Sequence, residues 1–356
     1  MKNLTLNDPT QQAVLTHLSE TERLLSQVAT KLSGRPKHAE IIAMPDLGIA
    51  HNCTRMCGGF FTGAQYSWDS DVPFIPVDAT VNVCGTALFK VKGEMSIETF
   101  CEKVKSVLAD TSKYTWNYTA GNHFASLVKS NGEYGLPSGY YMIVHASANE
   151  FKYNDEMGLY PTSTVWYNSD IQIESNGSRY LRYIYGDSAI RFYEIAKNLI
   201  EFNTERNRYF VRSVLGDMFD EEILSIQHYG MPNDHTVCIG AQWENKIYTL
   251  LTAPGKPIYL IKPTKDFYGS PHGFGLELKH PEITYTPNGI SFSRKNFSMG
   301  ESISIGHDAF NRCSADPDKL HDYVSKILSV CPGDIVGKLH QIVSFSKDGL
   351  KIWNNI

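Results

Sequence analysis

The stretch YTAGNHFASLV, residues 118–128, places Gly, Asn and His in succession directly before an apolar run that is typical of a β-strand. His123 falls where the alternation of such a strand would bury or half-bury its ring. A buried imidazole must be satisfied by hydrogen bonds or take part in chemistry, because an unpaired polar group in an apolar interior costs free energy. The segment therefore predicts a strand preceded by a glycine-flanked loop that carries a candidate functional histidine.

The composition is that of a globular protein. The chain has 356 residues, of which 42% are hydrophobic and 20% charged, enough to bury a sizeable core and unlike a disordered chain. No apolar run reaches membrane-spanning length, and the N-terminal MKNLTLNDPTQQ lacks the basic and apolar regions of a signal peptide. We therefore expect a cytoplasmic protein with no membrane partner.

The cysteines and the net charge bear on compartment and partners. Seven cysteines, an odd number scattered over a long chain, favour reduced thiols over a disulfide framework. A net charge of −5 gives no general attraction to a phosphate backbone. Binding of nucleic acid would therefore need a local basic cleft.

Four helices are predicted from periodicity and end signals: residues 19–34, 96–110, 187–206 and 316–330. Ser19 and Glu22 have the spacing of a capping box, and Gly34 is a typical helix stop. Asp316 precedes Pro317, which suits the first turn of a helix.

Strands are predicted where β-branched and aromatic residues lie between turn residues. These segments are residues 81–91, 139–147, 163–168, 180–186, 235–242, 246–262 and the hairpin 282–294, which turns on Asn288 and Gly289. Strands dominate the middle of the chain without regular βαβ alternation, and no linker or repeat divides it. We therefore expect an N-terminal helical segment, residues 1–36, followed by a single α+β domain, residues 37–356.

The side chains that could carry chemistry are spread along the chain. Histidines stand at strand ends or in glycine-flanked loops at His123, His145, His228 and His272. With Asp78 and Cys84 they supply imidazole, carboxylate and thiolate, which is the ligand set for a divalent transition metal. Only the fold can bring these residues together, because tens of positions separate most of them.

Eight segments, in the same order along the chain, resemble the RtcB family of RNA ligases. IIAMPDLG (41–48) resembles its Met-Pro-Asp segment, PVDATVNVCG (76–85) its Val-Asp-x-Gly-Cys-Gly motif, AGNHF (120–124) its Gly-Asn-His-Phe, MIVHAS (142–147) its strand ending in His-Ser-Gly, DEEILSIQHYG (220–230) its Glu-Glu segment before His-Asn, APGKPIYLIK (253–262) its Pro-Gly-Ser-Met-Gly loop, PHGFG (271–275) its Ser-His-Gly-Ala-Gly and IVSFSKDG (342–349) its C-terminal Lys-Gly strand. The resemblance implies strand-rich mixed sheets around a metal site, with flanking helices.

The resemblance also implies a role for each candidate residue. Two metal ions, normally manganese, would be held by Asp78, Cys84, His123, His145 and His228. His272 would be the nucleophile that takes GMP from GTP as a phosphoramidate. The nucleotide would be bound by Asn122, Lys256, Gly273 and Lys347, with Asn122 at a phosphate and Lys347 at the guanine.

An enzyme of this kind is a GTP-dependent ligase. The family transfers GMP to an RNA 3′-phosphate or 2′,3′-cyclic phosphate end, and a 5′-hydroxyl then displaces GMP to seal the strand. The resemblance therefore implies RNA ends such as tRNA halves as substrates, GTP and manganese as cofactors, and an archease-like activating protein as a candidate partner.

The chain departs from the family at the site. Cys84 follows Asp78 by six positions rather than three, so either three residues are inserted or only one of the two is the true counterpart. Leu276 replaces the arginine that follows His-Gly-Ala-Gly in the family, and Ala148-Asn149 replaces the Ser-Arg pair that follows the strand of His145. Neither Leu nor Asn can form the bidentate hydrogen bonds with phosphate that a guanidinium group forms. Two other functions therefore stay open: a metal-dependent phosphatase, phosphodiesterase or nucleotidyltransferase acting on a small molecule, and an inactive protein that binds RNA ends.

Overall fold

The computed structural model describes residues 1–50, 52–177, 179–264, 267–286, 289–299, 301, 309–312 and 317–353. These residues form an α+β fold, as the sequence predicts. The helices are α1 (Pro9–Ser33), α2 (Cys53–Cys57), α3 (Ile97–Ala109), α4 (Asp187–Leu215) and α5 (Pro317–Val330).

The strands follow in chain order. They are β1 (Lys2–Asn3), β2 (Ala39–Gly48), β3 (Thr62–Trp68), β4 (Phe74–Pro76), β5 (Gly85–Val91), β6 (Phe124–Ser130), β7 (Gly139–Ala146), β8 (Gln172–Asn176), β9 (Arg179–Tyr185), β10 (Phe219–Gln227), β11 (Tyr229–Asn233), β12 (Thr236–Ile239), β13 (Ala241–Gln242), β14 (Tyr248–Leu250), β15 (Ile258–Pro263), β16 (Ser270–Pro271), β17 (Leu276–Leu278), β18 (Ile283–Thr286), β19 (Gly289–Phe292), β20 (Lys295–Ser298), β21 (Ala309–Asn311), β22 (Gly333–Ser346) and β23 (Gly349–Ile352).

The largest sheet has eight strands in the order β10-β5-β7-β6-β22-β15-β14, with β23 also paired to β22. All of its pairings are antiparallel. The neighbouring strands β5, β7, β6 and β22 come from distant parts of the chain. Their pairing brings together strand ends that are remote in sequence, and the candidate site lies at these strand ends.

A second sheet packs its own core. Its five strands run in the order β1-β2-β3-β12-β11. Helix α1 lies against β2 and buries Val14, Leu18, Leu24 and Val28 in the same apolar cluster as Ile41 and Tyr66. Burial of one such aliphatic side chain is worth about 1.5–3 kcal/mol, so this helix contributes substantially to the core.

Helix α1 begins ten residues before its predicted start. Asp8 is the N-cap: its side chain accepts a hydrogen bond from the Gln11 backbone amide, the Gln11 side-chain oxygen accepts one from the Asp8 backbone amide, and Pro9 occupies the first turn. The prediction of a cap at Ser19 is wrong, because Ser19 lies inside the helix and its hydroxyl donates to the Leu15 carbonyl. The predicted stop at Gly34 is confirmed by its left-handed φ of 66°.

Of the other predicted elements, one strand is wrong, one helix is longer than predicted and one hairpin is confirmed. Residues 163–168 are not a strand but turns that lead into a short 3-10 turn, Asn168–Asp170. Helix α4 continues nine residues past its predicted end, to Leu215. The hairpin of β18 and β19 is confirmed, although Asn288 in its turn and Asp316 before α5 lie outside the described residues. No helix within the described part of the chain has both the length and the apolar character that a membrane span requires.

Candidate metal centre

Four of the predicted site residues meet at one end of the eight-stranded sheet. Cys84 directly precedes β5, His123 directly precedes β6, His145 lies near the end of β7 and His228 directly follows β10. The pairing register explains the meeting. Gly85 is opposite both Ala146 and Gln227, and Phe124 is opposite His145, so all four strand ends are adjacent.

The closest group consists of Cys84, His145 and His228. The His145 Nε2 atom lies 2.9 Å from the Cys84 Sγ atom and 3.1 Å from the His228 Nε2 atom. All three residues are buried, and their ligand atoms lie within 4.8 Å of one another. A thiolate and two imidazoles at such separations can hold one metal ion.

His123 lies beside this group. Its Nε2 atom is 3.6 Å from the Cys84 Sγ atom, and its ring stands at 85° to the ring of His145. The other ring nitrogen, Nδ1, donates to the Asn117 carbonyl at 3.1 Å. His123 therefore presents an unprotonated Nε2 to the thiol of Cys84.

Backbone carbonyls also fix the orientation of His145. Its Nδ1 donates to the Asn122 carbonyl at 3.1 Å, because a carbonyl can only accept, and this leaves the Nε2 lone pair facing His228. A metal-bound histidine commonly donates its other ring nitrogen to a carbonyl in this way. The Nδ1 atom of His228 is buried without a hydrogen-bond partner among the described residues.

The electrostatics suit a metal ion. Burial lowers the pKa of His123 to about 4 and lowers the pKa values of His145 and His228 well below the ordinary value, so the rings are neutral ligands at neutral pH. Burial raises the pKa of the Cys84 thiol, so its thiolate needs a cation nearby. Around a tetrahedral ion, ligand atoms about 2.0–2.3 Å from the metal lie roughly 3.3–3.6 Å apart, so His145 at 2.9 Å from the Cys84 Sγ atom and 3.1 Å from the His228 Nε2 atom would move slightly apart to bind one.

Side chains of helix α4 form hydrogen bonds at this end of the sheet. The Asn203 side chain donates to the Ala146 carbonyl at 2.9 Å, directly after His145. Arg206, fully buried, bonds to the Glu150 carboxylate, which also accepts from the Asn117 side chain at 3.1 Å. The peptide of Asn117 that orients His123 is therefore part of a buried polar network.

His272 joins the cluster from a separate loop. Its ring stacks on that of His228, with centroids 5.0 Å apart and an interplanar angle of 22°. Its Nδ1 lies 2.6 Å from the Asp46 Oδ2 atom and 2.9 Å from the Gly240 carbonyl. Both partners accept, so Nδ1 carries the proton and Nε2 keeps a free lone pair in the neutral ring.

Glycines allow His272 to sit here. A Cβ atom on Gly240, whose φ is 66°, would lie 2.9 Å from the His272 Cε1 atom. A Cβ atom on Gly273 would lie 2.8 Å from the oxygen of Leu251, the residue that forms an isolated parallel bridge with Gly273. Gly273 therefore permits close backbone packing, and nothing in the structure tests its predicted contact with a nucleotide.

Asp46 is the functional candidate that the sequence did not assign. It lies in β2, within the segment IIAMPDLG, and its side chain is fully buried. One carboxylate oxygen binds His272, while Oδ1 has no hydrogen-bond partner among the described residues. The signal in the sequence was an aspartate inside an apolar strand, which is costly unless the carboxylate is paired.

Asp78 is not among the residues of the cluster. Its buried carboxylate forms an ion pair with Arg182 of β9, whose Nε lies 3.0 Å from both carboxylate oxygens. Of the two residues that the sequence left as alternatives, Cys84 is the one that lies with the histidines.

The remaining nucleotide-binding candidates lie in turns and loops outside the strands. Asn122 and Lys347 are exposed, and Lys347 lies in the turn after Ser346, which is opposite Phe124 at the same sheet edge. Lys256 lies in the loop before β15, where its carbonyl accepts from the Gln341 side chain at 2.7 Å. Lys347 therefore lies near the strand ends that carry the cluster, and among the described residues no contact joins the side chains of Asn122, Lys256 and Lys347.

The sequence matches no protein-family model, and no curated protein shows significant similarity to it.

Proposed function

We propose that this protein is a divergent RtcB-like RNA ligase that joins an RNA 3′-phosphate or 2′,3′-cyclic phosphate to a 5′-hydroxyl through a guanylylated His272. One observation carries the proposal: His272 stacks on His228 of the buried thiol and imidazole cluster, while Asp46 and Gly240 hold its Nδ1 proton. A histidine held in this tautomer beside a metal centre is suited to attack a phosphate.

The first step of this proposal uses the free ring nitrogen of His272. Its Nε2 lone pair attacks the α-phosphorus of GTP, a nitrogen–phosphorus bond forms, and the bond to the β-phosphate oxygen breaks with release of pyrophosphate. The ring becomes positively charged as the bond forms. Asp46 stabilises this charge because its carboxylate already accepts the Nδ1 proton at 2.6 Å.

The metal that this site would hold in the proposal is manganese. Cys84, His145 and His228 would hold one ion, and His123 lies close enough to the thiol to join them. A bound divalent cation neutralises phosphate charge and orients the attacked phosphorus. The chain's own residues supply the thiolate, the neutral imidazoles and the exclusion of bulk water.

The reaction is tested with an RNA that carries a 3′-phosphate and a partner that carries a 5′-hydroxyl. The purified protein should join them with manganese and GTP, and omission of either should stop joining. His272→Ala should be inactive, and Lys246→Ala, which removes an exposed lysine paired with Glu244, is the matched control that should stay active. Joining that continues without GTP would contradict the proposal.

A second function is favoured by one observation. At positions 148, 149 and 276, where the resembling family carries phosphate-gripping arginine segments, this chain has Ala148, Asn149 and Leu276. A metal-dependent phosphatase or phosphodiesterase needs the cluster but no guanine nucleotide. Hydrolysis of p-nitrophenyl phosphate or bis-p-nitrophenyl phosphate with manganese and without GTP would favour this function, provided that His145→Ala abolishes the hydrolysis. If metal-loaded protein neither joins RNA nor hydrolyses these esters, an inactive RNA-end-binding protein is favoured instead.

A further inference from the structure

Arg55, in the short helix α2, is a buried cation without a carboxylate partner among the described residues. The residue is 5% exposed. Its Nε donates to the Thr80 hydroxyl at 2.9 Å and to the Ala79 carbonyl at 3.1 Å, and Nη2 donates to the Thr80 carbonyl at 2.6 Å. No described residue forms an ion pair with it or accepts a hydrogen bond from Nη1. A buried charge without an opposite charge is costly, and a bound anion would offset that cost.

The loop that holds Arg55 is strained. Thr80 and Val83 have φ values of 44° and 48°, in the left-handed region that β-branched residues rarely adopt. This loop is the six-residue spacing between Asp78 and Cys84. Strain of this kind persists where the surrounding structure imposes it, and it is concentrated at functional sites. This loop presents the Ala79 and Thr80 carbonyl oxygens and the Thr80 hydroxyl to Arg55.

Arg55 adjoins the metal-binding cluster. Its guanidinium carbon lies 5.1 Å from the centroid of the Tyr229 ring. Tyr229 directly follows His228, and its ring centroid is 6.1 Å from that of His272. The amide groups of His228 and Tyr229 both donate to the Cys84 carbonyl, at 3.0 and 3.1 Å. The buried cation is therefore one aromatic ring away from the predicted nucleophile.

A second cation, Lys152, borders the same loop, where it lines a small cavity together with Val81, Asn82 and Val83. Lys152 is partly buried and forms no ion pair with any described residue, and its Nζ lies 4.6 Å from the Tyr153 ring centroid and 5.7 Å from that of Tyr160. Burial, followed by the charge of Arg55, lowers the pKa of Lys152. Arg55 and Lys152 therefore border the same loop, and neither forms an ion pair with a described residue, so the pair attracts an anion.

We propose that Arg55 and Lys152 form a phosphate-binding subsite beside the Cys84, His145 and His228 cluster. The ligand class is a phosphate group of a nucleotide or of an RNA end, and Arg55 takes the role of the arginines that are missing at positions 149 and 276. The inference rests on the proposed function for the identity of the substrate, but the binding of phosphate by this pair does not depend on GTP use. Guanidinium and ammonium groups together bind a tetrahedral oxyanion more tightly than either alone.

The test measures binding of inorganic phosphate and pyrophosphate by isothermal titration calorimetry, in chelator-treated protein without GTP. Lys152→Met should weaken pyrophosphate binding about fivefold to tenfold and Arg55→Met at least about tenfold. Arg35→Met, which removes an exposed arginine paired with Asp71, is the control and should bind as the wild type does. His272→Ala should also keep its affinity, so loss of guanylylation and loss of phosphate binding can be told apart.

Two results would overturn the proposal: no measurable binding of either anion by the wild type, or unchanged affinity in both Arg55→Met and Lys152→Met. Arg55 also holds the strained loop, so its substitution could prevent folding. Circular dichroism and a thermal melt of each variant identify that outcome. Arg55→Lys, which keeps the charge, and Lys152→Met, which lies outside the loop, then provide the deciding affinities.

Discussion

The Nδ1 atom of His272 lies 2.6 Å from the Oδ2 atom of Asp46, a contact between residues 226 positions apart in the chain. Asp46 is fully buried in β2, and His272 lies in the loop beside Cys84, His145 and His228, which could hold a metal ion. The contact fixes the tautomer of the histidine, so its free nitrogen is the one that can react. Several consequences follow for the reactivity, metal content and stability of the protein.

Asp46→Asn should leave the fold intact and remove the charge that stabilises the reacting imidazole. An amide can present its NH₂ group to Nδ1 and so favour the wrong tautomer, which in comparable catalytic pairs lowers the rate about 10⁴-fold. We expect covalent GMP formation by this variant to fall by about 10²- to 10⁴-fold while its manganese content stays the same. A guanylylation rate within threefold of the wild type would show that the pair has no role in reactivity.

Removal of a ligand of the cluster should remove the metal. In His145→Ala and Cys84→Ser, we expect metal affinity to fall by at least about tenfold, measured by inductively coupled plasma mass spectrometry after dialysis against limiting manganese. His235→Ala, which removes an exposed histidine paired with Asp234, is the control. Equal metal content in all of these proteins would mean that the cluster is structural.

Asp78→Asn should retain the metal, because the carboxylate is committed to Arg182. Arg182→Met leaves Asp78 buried without its partner and should lower the free energy of unfolding by about 3–5 kcal/mol. The double variant Arg182→Met with Asp78→Asn should recover part of that loss, as measured by urea denaturation. Loss of manganese in Asp78→Asn alone would instead identify Asp78 as a ligand.

The metal-free protein should lose stability as the pH falls from about 6.5 to about 4. Burial lowers the pKa of His123 to about 4 in the folded state, whereas an unfolded histidine has a pKa of about 6.5, so the unfolded state binds more protons in this interval. For His123 alone, the loss amounts to about 3 kcal/mol. His123→Gln should show a shallower decline in chelator-containing buffer, and parallel curves for the two proteins would contradict this origin.

The sequence predicted the members of the cluster but not their arrangement. The histidines were found at strand ends or in glycine-flanked loops and Cys84 inside the predicted strand 81–91, and the antiparallel register then brings these residues together. The residues that complete the site were not predictable in the same way. Asp46 meets His272 only through tertiary packing, and no strand was predicted for the segment that forms β2.

Local signals also competed with one another. Asp8 with Gln11 and Ser19 with Glu22 both have capping-box spacing, and only the burial of Val14 and Leu18 extends helix α1 back to the first pair. Asp78 matched a ligand motif by its position in the sequence, but the structure pairs it with Arg182, which is 104 residues away. Such long-range ion pairs leave no periodic trace in a sequence.

In the proposed function, the Nε2 atom of His272 becomes guanylylated. The most direct measurement is incubation of the protein with manganese and GTP labelled at the α-phosphate, followed by denaturing electrophoresis and acid and alkali treatment of the labelled band. We expect an acid-labile, alkali-stable GMP label on the wild type and on Lys246→Ala, and none on His272→Ala. A metal-loaded wild type that takes up no label, or a label that persists in His272→Ala, would contradict it.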